Sequence, residues 1–226
     1  MFQKIILFLI VLLYSNGFFA QSFDNLQTYS NFGCTVKYQK EQAKLINKEV
    51  GDEYTVYHLF STKLNSAVNQ EFLIVFDNGP SDDPCFHIQL AGQQSQENGL
   101  ITIRGNELIL PGNGFIYAIN RSDVNFEMKQ KFKVEGQKIV EVKQAFYYVG
   151  IKGKTKKAIT LYAEKEQKNV VANLPVEYDV EVLLNDGGDN YLIKTPFGLT
   201  GWIKITNKEM YPPPGQVIEG LYYAGD

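Results

Sequence analysis

The sequence predicts an all-β protein of two domains: an antiparallel β domain, either a sandwich or a barrel, followed by a small closed barrel. Two observations support this prediction. After residue 50, short runs rich in β-branched and aromatic residues alternate with Gly, Asn and Asp, and almost no segment has the apolar spacing of an amphipathic helix. A polar stretch near residues 150–157 then separates a longer first region from a second region with five closely spaced apolar runs.

The first twenty residues have the layout of a secretory signal peptide. Lys4 provides a positive charge ahead of an apolar run over residues 5–13, and small and turn-forming residues follow. The run is shorter than the ~20 residues that a membrane-spanning helix needs. We expect cleavage after Ala20 or Ser22, which predicts a secreted or periplasmic protein. No later apolar segment is long enough to predict a membrane span.

The charge of the chain argues against one class of partner. The 226 residues carry 22 basic and 25 acidic side chains, a formal net charge of −3, and no cluster of Lys and Arg. Nucleic-acid binding depends on the neutralisation of phosphates by such clusters. We therefore predict no nucleic-acid partner.

The first domain is predicted over residues 23–150. We recognise no family in its sequence. Strand candidates cover residues 54–60, 71–76 and 85–90, and residues 100–110 predict a hairpin that turns at Gly105-Asn106. Residues 39–50 are compatible with a short helix or with a strand and a turn.

The clearest hairpin of the sequence covers residues 126–143 and turns at Glu135-Gly136. Its apolar residues fall at even positions in both arms: Phe126, Met128, Phe132, Val134, Val140 and Val142. A period of two predicts that all of them lie on one buried face, while the lysines between them stay in water.

Gly150, Gly153 and four lysines over residues 152–157 form a polar stretch that we interpret as a flexible domain boundary. A basic surface loop within one domain is the alternative interpretation. The second domain is predicted over residues 155–208, with apolar runs at 159–162, 170–174, 180–184, 191–194 and 200–205. In the tail, residues 209–226, three consecutive prolines favour extended backbone.

Residues 158–207 resemble a bacterial SH3-like domain of the kind found in exported cell-envelope proteins. The resemblance rests on two motifs, Leu174-Pro175 followed by Val180, Val182 and Leu183, and a Gly-x-x-Gly-Trp-Ile ending formed by Gly198, Gly201, Trp202 and Ile203. The chain departs from the family pattern at Asn190, where an aromatic residue is common, and at Glu177, where glycine is common. The resemblance implies an SH3-like barrel that recognises cell-wall glycan or peptide, or an envelope protein.

The glycines of this ending also have a physical interpretation without the family. Gly198 and Gly201 permit a tight turn with positive φ, and Trp202 can bury a large apolar surface beside it. We interpret the motif as a structural closure of the barrel. Tyr162, Tyr191, Phe197 and Trp202 flank the loops and are the candidates for a ligand groove. Packing inside a β-rich core is the alternative for these aromatic residues.

Cys34 and Cys85 are the two cysteines of the chain. In an exported protein an even count predicts a disulfide between them. Two unrelated buried thiols are the alternative, because the sequence does not reveal whether the two Cβ atoms meet.

Other candidate chemistry is weak, and we predict no catalytic residue, no metal and no cofactor. Cys85 and His87 would share one face of a strand, but no helix follows Cys85 to lower its thiol pKa. A zinc set of Cys34, Cys85, His58 and His87 matches no usual ligand spacing. Residues 77–84 and 185–190 are acidic and glycine-rich, as calcium-binding loops are. We predict turns at both places, with calcium binding as the alternative.

The sequence therefore favours an exported, non-catalytic binding protein of the bacterial cell envelope. The first alternative is a structural or assembly role in which the barrel only packs on the first domain. The second alternative is a hydrolase with a site in the first domain. Binding predicts exposed aromatic side chains on the barrel, whereas packing predicts that residues 23–150 cover the same face.

Overall fold

The computed structural model describes residues 23–51, 55–79, 83–92, 100–121, 123–206 and 215–224, and it is all-β as predicted. Within these ranges the single helical element is one 3-10 turn, Lys40–Gln42. No helix in the described part of the chain has the length and apolar character needed to cross a membrane. The predicted signal peptide and the prolines at 212–214 lie outside the described residues.

The first half of the chain forms two sheets that face each other as a sandwich. Its strands are β1 (Gln27–Asn31), β2 (Cys34–Tyr38), β3 (Ala43–Val50), β4 (Val56–Thr62), β5 (Phe72–Asp77), β6 (Cys85–Leu90), β7 (Ile101–Arg104), β8 (Glu107–Leu110), β9 (Phe115–Asn120), β10 (Met128–Glu135) and β11 (Lys138–Glu141). The strand orders are β1-β2-β8-β9-β10-β11 and β3-β4-β5-β6-β7. Neighbours are antiparallel except β2 and β8, which run parallel. The antiparallel prediction thus has one exception.

The inner faces of these two sheets share one apolar core. Alternate residues of β5 and β6 point inward and are buried, among them Phe72, Phe76, Phe86 and Ile88. Residues from β2, β8, β9 and β10 fill the other side of the same core. In β6 this burial follows the period of two expected of a strand with one buried face.

The predicted hairpin at Gly105-Asn106 is wrong, although a turn is present. β7 pairs with β6 in one sheet, whereas β8 pairs with β2 and β9 in the other. Gly105 has a φ of +113°, and a Cβ atom there would collide with the carbonyl oxygen of Ile119. The turn thus carries the chain from one sheet to the facing one, a crossing that the local sequence does not distinguish from a hairpin.

The predicted β10–β11 hairpin is confirmed, but its second arm presents the opposite face. The register pairs Val134 with Ile139 and Phe132 with Glu141 across a two-residue turn. With a turn of even length, even positions of β10 share a face with odd positions of β11. Ile139 is accordingly buried and Val140 is exposed.

The second half forms one sheet with the order β12-β15-β16-β17-β13-β14. Its strands are β12 (Tyr147–Lys154), β13 (Ile159–Tyr162), β14 (Val170–Leu174), β15 (Asp179–Asn185), β16 (Asn190–Lys194) and β17 (Thr200–Lys204). The five predicted runs correspond to β13–β17. Residues 150–154 of the stretch predicted as a flexible boundary lie in β12, which pairs with β15, and residues 155–157 follow that strand. The sheet does not close into a barrel, because β12 and β14 are its edges.

Residues from outside this sheet complete the core of the second half. Phe126, which precedes β10, packs edge-on against Tyr191 with ring centroids 6.2 Å apart. Val217, Ile218 and Leu221 from the C-terminal segment are buried in the same core. The segment also bonds to both halves: Lys156 N donates to Val217 O at 2.8 Å, and Ala224 N donates to Val124 O at 3.1 Å. Phe126 and the C-terminal segment therefore link the two halves at the second of two separate cores.

The predicted disulfide is wrong: Cys34 and Cys85 are both free thiols. Cys34 lies on β2 and points into the first core, where its Sγ donates to Asn31 O at 3.3 Å. Cys85 begins β6 of the facing sheet and lies on the outer side of that sheet. A sheet therefore separates the two sulfur atoms, and the alternative of two separate thiols holds.

Candidate functional site

One row of apolar side chains crosses the outer face of the second sheet from edge to edge. Directly opposite residues of neighbouring strands point to the same face, and the register links six of them in succession. We call them the outer band, which consists of Tyr148, Leu184, Leu192, Trp202, Tyr162 and Val170. With strands about 4.8 Å apart, the outer band is about 24 Å long.

The outer band is solvent-accessible, and most strongly so at its two ends. Tyr148 on edge strand β12 is 59% exposed, and Val170 on edge strand β14 is 58% exposed. Leu184, Leu192, Trp202 and Tyr162 are half-buried between them. The flanking inward residues Leu161, Ile193 and Ile203 are buried. The outer band is therefore a separate surface feature and not a part of the core.

A lysine lies over the centre of the outer band. The ammonium group of Lys165, from the loop between β13 and β14, is 4.7 Å from the ring centroid of Trp202 and 5.1 Å from that of Phe146. Lys165 Nζ also donates to Asp186 Oδ2 at 2.9 Å. A cation between two ring faces is attracted by both quadrupoles, so this part of the outer band combines apolar and charged recognition groups.

Asp186 is held in place by groups from its own turn. Its carboxylate accepts hydrogen bonds from Gly188 N at 3.0 Å and Asn190 Nδ2 at 2.9 Å, as well as the one from Lys165. Burial favours the neutral acid, but these bonds and the charge of Lys165 outweigh it and hold the pKa of Asp186 below its usual 3.8. The predicted turn at residues 185–190 is thus confirmed and also positions a charged pair.

A second, charged row runs beside the outer band on the same face. The register places Lys152 opposite Glu181, and Glu181 opposite Lys194. Lys194 Nζ and Glu181 Oε2 are 3.1 Å apart. A groove of about 330 Å³ follows this row and is lined by these three side chains and Pro196, among others. The outer face therefore offers an apolar row and a charged groove side by side.

Two of the four predicted groove aromatics meet in the outer band, and two do not. Tyr162 and Trp202 are directly opposite on β13 and β17. Tyr191 lies on the inner face, is 1% exposed and accepts a hydrogen bond from Asn125 Nδ2 at 3.0 Å, so it is a core residue. Phe197 is 86% exposed in the turn between β16 and β17.

The Gly-x-x-Gly-Trp ending divides into two roles. Gly198 has a φ of +97°, which confirms the predicted turn. Gly201 instead allows close packing, since an added Cβ atom would lie 2.8 Å from the Cβ of Leu161. Trp202 points outward from the sheet and not into the core. The glycines of the motif therefore allow the turn before β17 and the close packing of β17 against β13. Its tryptophan lies on the surface.

The sequence reasoning missed most of the outer band. Tyr148, Leu184, Leu192 and Val170 each occupy the outward position of a predicted or observed strand, but only the register aligns them in one row. Phe146 and Lys165 come from segments outside the strands. The alternation of inward and outward positions along the strands contained a signal for a surface site. An apolar residue at an outward position of an edge strand has no partner in the core.

A polar cluster lies on the outer face of the five-stranded sheet in the first half. Cys85 Sγ is 3.5 Å from His87 Nε2, and that same nitrogen is 3.6 Å from Asp77 Oδ2. His87 Nδ1 lies 3.0 Å from Thr102 Oγ1. One ligand atom from each of Asp77, Cys85 and His87 lies within 4.8 Å of the others.

The cluster does not have the geometry of a nucleophilic triad. In such a triad the histidine contacts the nucleophile through one nitrogen and the acid through the other, whereas here Nε2 faces both. Burial first, and then the charge of Asp77, raise the pKa of Cys85 to about 11, against the opposing charge of Arg104. The thiol is therefore protonated at neutral pH and is a poor nucleophile.

The zinc set considered from the sequence is not assembled. Cys34 points into the core, and burial raises the pKa of its thiol to about 12. His58 lies on β4, opposite Val75 and two strands away from His87. Burial, followed by the charge of Lys48, lowers the pKa of His58. Of the four residues, only Cys85 and His87 meet, and Asp77 joins them.

Comparison with known proteins found no relative: no protein-family model, no curated protein and no solved structure matches this chain. The SH3-like resemblance of residues 158–207 thus remains a prediction.

Proposed function

We propose that this chain is an exported, non-catalytic binding protein of the bacterial cell envelope that recognises cell-wall glycan and its peptides through the outer band. The observation that carries the proposal is the edge-to-edge row of apolar side chains with Trp202 at its centre. Export rests on the layout of the first twenty residues.

An exposed apolar row needs an explanation, because leaving it in water costs free energy. Contiguous apolar patches of this kind usually serve an interaction. Aromatic residues are enriched at such sites, since each brings a large rigid apolar surface with little loss of conformational entropy. The half-buried rings of Trp202 and Tyr162 at the centre of the outer band fit this description.

The neighbours of the outer band favour a glycan that carries peptides. A sugar ring has an apolar C–H face, which stacks on an aromatic ring, and a rim of hydroxyl groups, which needs polar partners. Lys165, Asp186 and Asn190 provide such partners beside Trp202. The charged groove with Lys152, Glu181 and Lys194 presents both signs of charge. Cell-wall peptides carry free amino and carboxyl groups of both signs.

The packing alternative receives less support from the contacts between the halves. It expects residues 23–150 to cover the outer face of the second sheet. The contacts from the first half instead reach the inner core, through Phe126 and through Asn125 to Tyr191. Phe146 does contact Trp202, but its ring is itself 43% exposed and widens the apolar surface.

A non-catalytic role agrees with the state of the polar cluster. The Cys85 thiol has a raised pKa, and His87 presents one nitrogen to both neighbours. These features oppose the activation that a nucleophile needs. The Cys85 thiol therefore gives no support to a hydrolase that acts through a cysteine nucleophile.

The test is a co-sedimentation of residues 21–226 with purified insoluble peptidoglycan. We expect binding that weakens about tenfold or more in Tyr162→Ala, because an aromatic contact at an interface centre contributes about 2 kcal/mol, and a smaller loss in Tyr148→Ala at the end of the outer band. Leu45→Ala is the matched control, since Leu45 is 57% exposed on β3 of the first half. Trp202 is the single tryptophan, so its fluorescence should change when soluble wall fragments are added.

Two outcomes would contradict the proposal. Absence of binding by the wild-type chain would remove the cell wall as the target, and a protein partner of the envelope would become the better account. If Leu45→Ala reduced binding as much as Tyr162→Ala, the outer band would not be the binding surface. Circular dichroism of each variant establishes that the comparison is made between folded chains.

A further inference from the structure

We propose that Asp77, Cys85 and His87 form a zinc-binding site on the outer face of the first half. This inference is independent of the proposed recognition of the cell wall, because the three residues lie in a different sheet from the outer band. The sequence predicted no metal and placed Asp77 only within a possible calcium loop, not together with Cys85 and His87.

The sheet itself brings the three donors together. Asp77 ends β5 and lies directly opposite Cys85, which begins β6. His87 follows two positions later on β6, so its side chain shares the face of Cys85. Opposite residues of an antiparallel pair have Cβ atoms about 5 Å apart. One carboxylate, one thiol and one imidazole are thus held on rigid backbone within reach of a single ion.

The separations between the donor atoms fit tetrahedral zinc. Zinc–ligand distances of about 2.0 to 2.3 Å at tetrahedral angles place neighbouring ligand atoms about 3.3 to 3.6 Å apart. The Cys85 Sγ to His87 Nε2 distance is 3.5 Å, and the His87 Nε2 to Asp77 Oδ2 distance is 3.6 Å. The third pair, the Cys85 thiol and the Asp77 carboxylate, lies within 4.8 Å, so all three ligands are within reach of one ion.

Two neighbouring groups orient the ligands. With its Nδ1–H donating to Thr102 Oγ1 at 3.0 Å, His87 presents the lone pair of Nε2 towards Cys85 and Asp77. Metal-binding histidines usually have such a partner on the other nitrogen. Gly79 N donates to Asp77 Oδ1 at 2.8 Å and so turns Oδ2 towards the histidine.

The combination of donors selects the metal class. A thiolate with an imidazole suits zinc, whereas magnesium and calcium require oxygen ligands. Three protein ligands leave a fourth tetrahedral position for a water molecule. Binding replaces the thiol proton of Cys85 by the metal, and the proton goes to solvent.

The competing account is a set of three hydrogen-bonded side chains that binds no metal. The experiment that separates the two is a titration of the full mature chain, reduced with a phosphine and stripped of metal, with cobalt(II) and then with zinc(II). We expect one equivalent of cobalt to produce a sulfur-to-cobalt charge-transfer band and tetrahedral d–d bands. Zinc should then displace the cobalt and abolish both.

Variants assign the ligands. Cys85→Ser should remove the charge-transfer band, and His87→Gln should weaken zinc binding about 100-fold or more. Thr102→Val leaves all three ligands in place and should weaken binding about 10- to 100-fold, as expected for the loss of a group that orients a ligand. Cys34→Ala and His58→Gln are the matched controls and should bind zinc as the wild-type chain does.

The wild-type titration alone can overturn the proposal. Failure to bind one equivalent of zinc, or cobalt spectra without the sulfur band, would leave the hydrogen-bonded cluster as the correct account. An undiminished sulfur band in Cys85→Ser would equally overturn it. Because the titration is made on the wild-type chain, it stays informative even if one of the ligand variants does not fold.

Discussion

The two halves of the molecule build their cores differently. The first half closes its core with its own residues, which lie between two facing sheets and range from Cys34 to Ile139. The second half has one sheet, and Phe126 together with Val217, Ile218 and Leu221 completes its core from outside. The change in texture near residue 150 therefore lies close to the start of the second sheet, whose first strand begins at Tyr147.

The outer faces of the two halves also differ in chemistry. The five-stranded sheet of the first half carries the polar cluster of Asp77, Cys85 and His87. The sheet of the second half carries the outer band. In both sheets, apolar side chains fill the inner face, and the residues between them along each strand point outward. The chemical differences between the two halves therefore lie in the outward positions.

The largest expected effect tests the dependence of the second half on its C-terminal segment. Deletion of residues 215–226 removes three buried side chains, and truncating one such side chain costs about 2–5 kcal/mol. We expect the second half to lose about 4 kcal/mol or more of its free energy of unfolding. Hydrogen exchange should accelerate in β12 and β15, while β5 and β6 stay protected.

Phe86→Ala is the reciprocal control, because Phe86 lies in the first core alone. It should cost about 3–5 kcal/mol and accelerate exchange in β5 and β6. If β12 and β15 stayed fully protected in the truncated chain, the second half would not depend on the C-terminal segment for its stability.

An intermediate effect is expected from the buried tyrosine that links the halves. Burial raises the pKa of Tyr191 to about 12; the hydrogen bond from Asn125 opposes the rise, and the charges of Asp189 and Asp186 add to it. The folded chain thus holds this proton more tightly than the unfolded chain, whose tyrosines titrate near 10.0. Stability from this residue is complete below pH 10 and declines as the pH rises to 12, by on the order of 2 kcal/mol.

Tyr191→Phe should remove that part of the alkaline decline. At neutral pH it should cost about 1–2 kcal/mol, because the amide group of Asn125 loses a buried acceptor. Urea unfolding between pH 7 and pH 12 measures both effects, with Tyr222→Phe as the control. Identical alkaline slopes for Tyr191→Phe and the wild-type chain would contradict the assignment.

The smallest expected effect concerns the lysine over the outer band. Asp186→Asn should release Lys165 from Trp202 and change tryptophan fluorescence, with a stability loss of about 0.5–1 kcal/mol. The pKa of Asp186 lies below 3.8 in the folded chain. Its stabilisation is therefore present above pH 3.8 and is lost as the pH falls through the lower folded value.

The wild-type fluorescence should accordingly titrate below pH 3.8, and Asp186→Asn should remove that transition. Glu177→Gln is the matched control, since Glu177 pairs with Lys156 elsewhere on the second half. If the acid transition of the fluorescence persisted unchanged in Asp186→Asn, it would not arise from the ion pair between Lys165 and Asp186.

Much of the second half could be predicted because its signals are local. β13 and β14 begin and end at the predicted residues, and the turn glycine Gly198 has the predicted positive φ. Less of the first half could be predicted. Its parallel β2–β8 pair and the separation of β7 from β8 depend on contacts between residues far apart in sequence.

The candidate sites follow the same division. Trp202 and Tyr162 were both predicted as groove residues, but so was Tyr191, which the alternation of β16 turns inward. Asp77 joins Cys85 and His87 because β5 and β6 pair in one particular register across residues 78–84. A shift by one position would have turned the carboxylate to the other face.

The sequence by itself determined the all-β class, most strand positions and the alternation of buried and exposed side chains along many of the strands. These properties depend on periodicity and on turn residues, which act over a few neighbouring positions. The tertiary structure alone decided which strands pair, in which register, and that Cys34 and Cys85 face away from each other. Backbone hydrogen bonds between strands are available to any strand edge, so the choice among partners is made by the packing of the whole core.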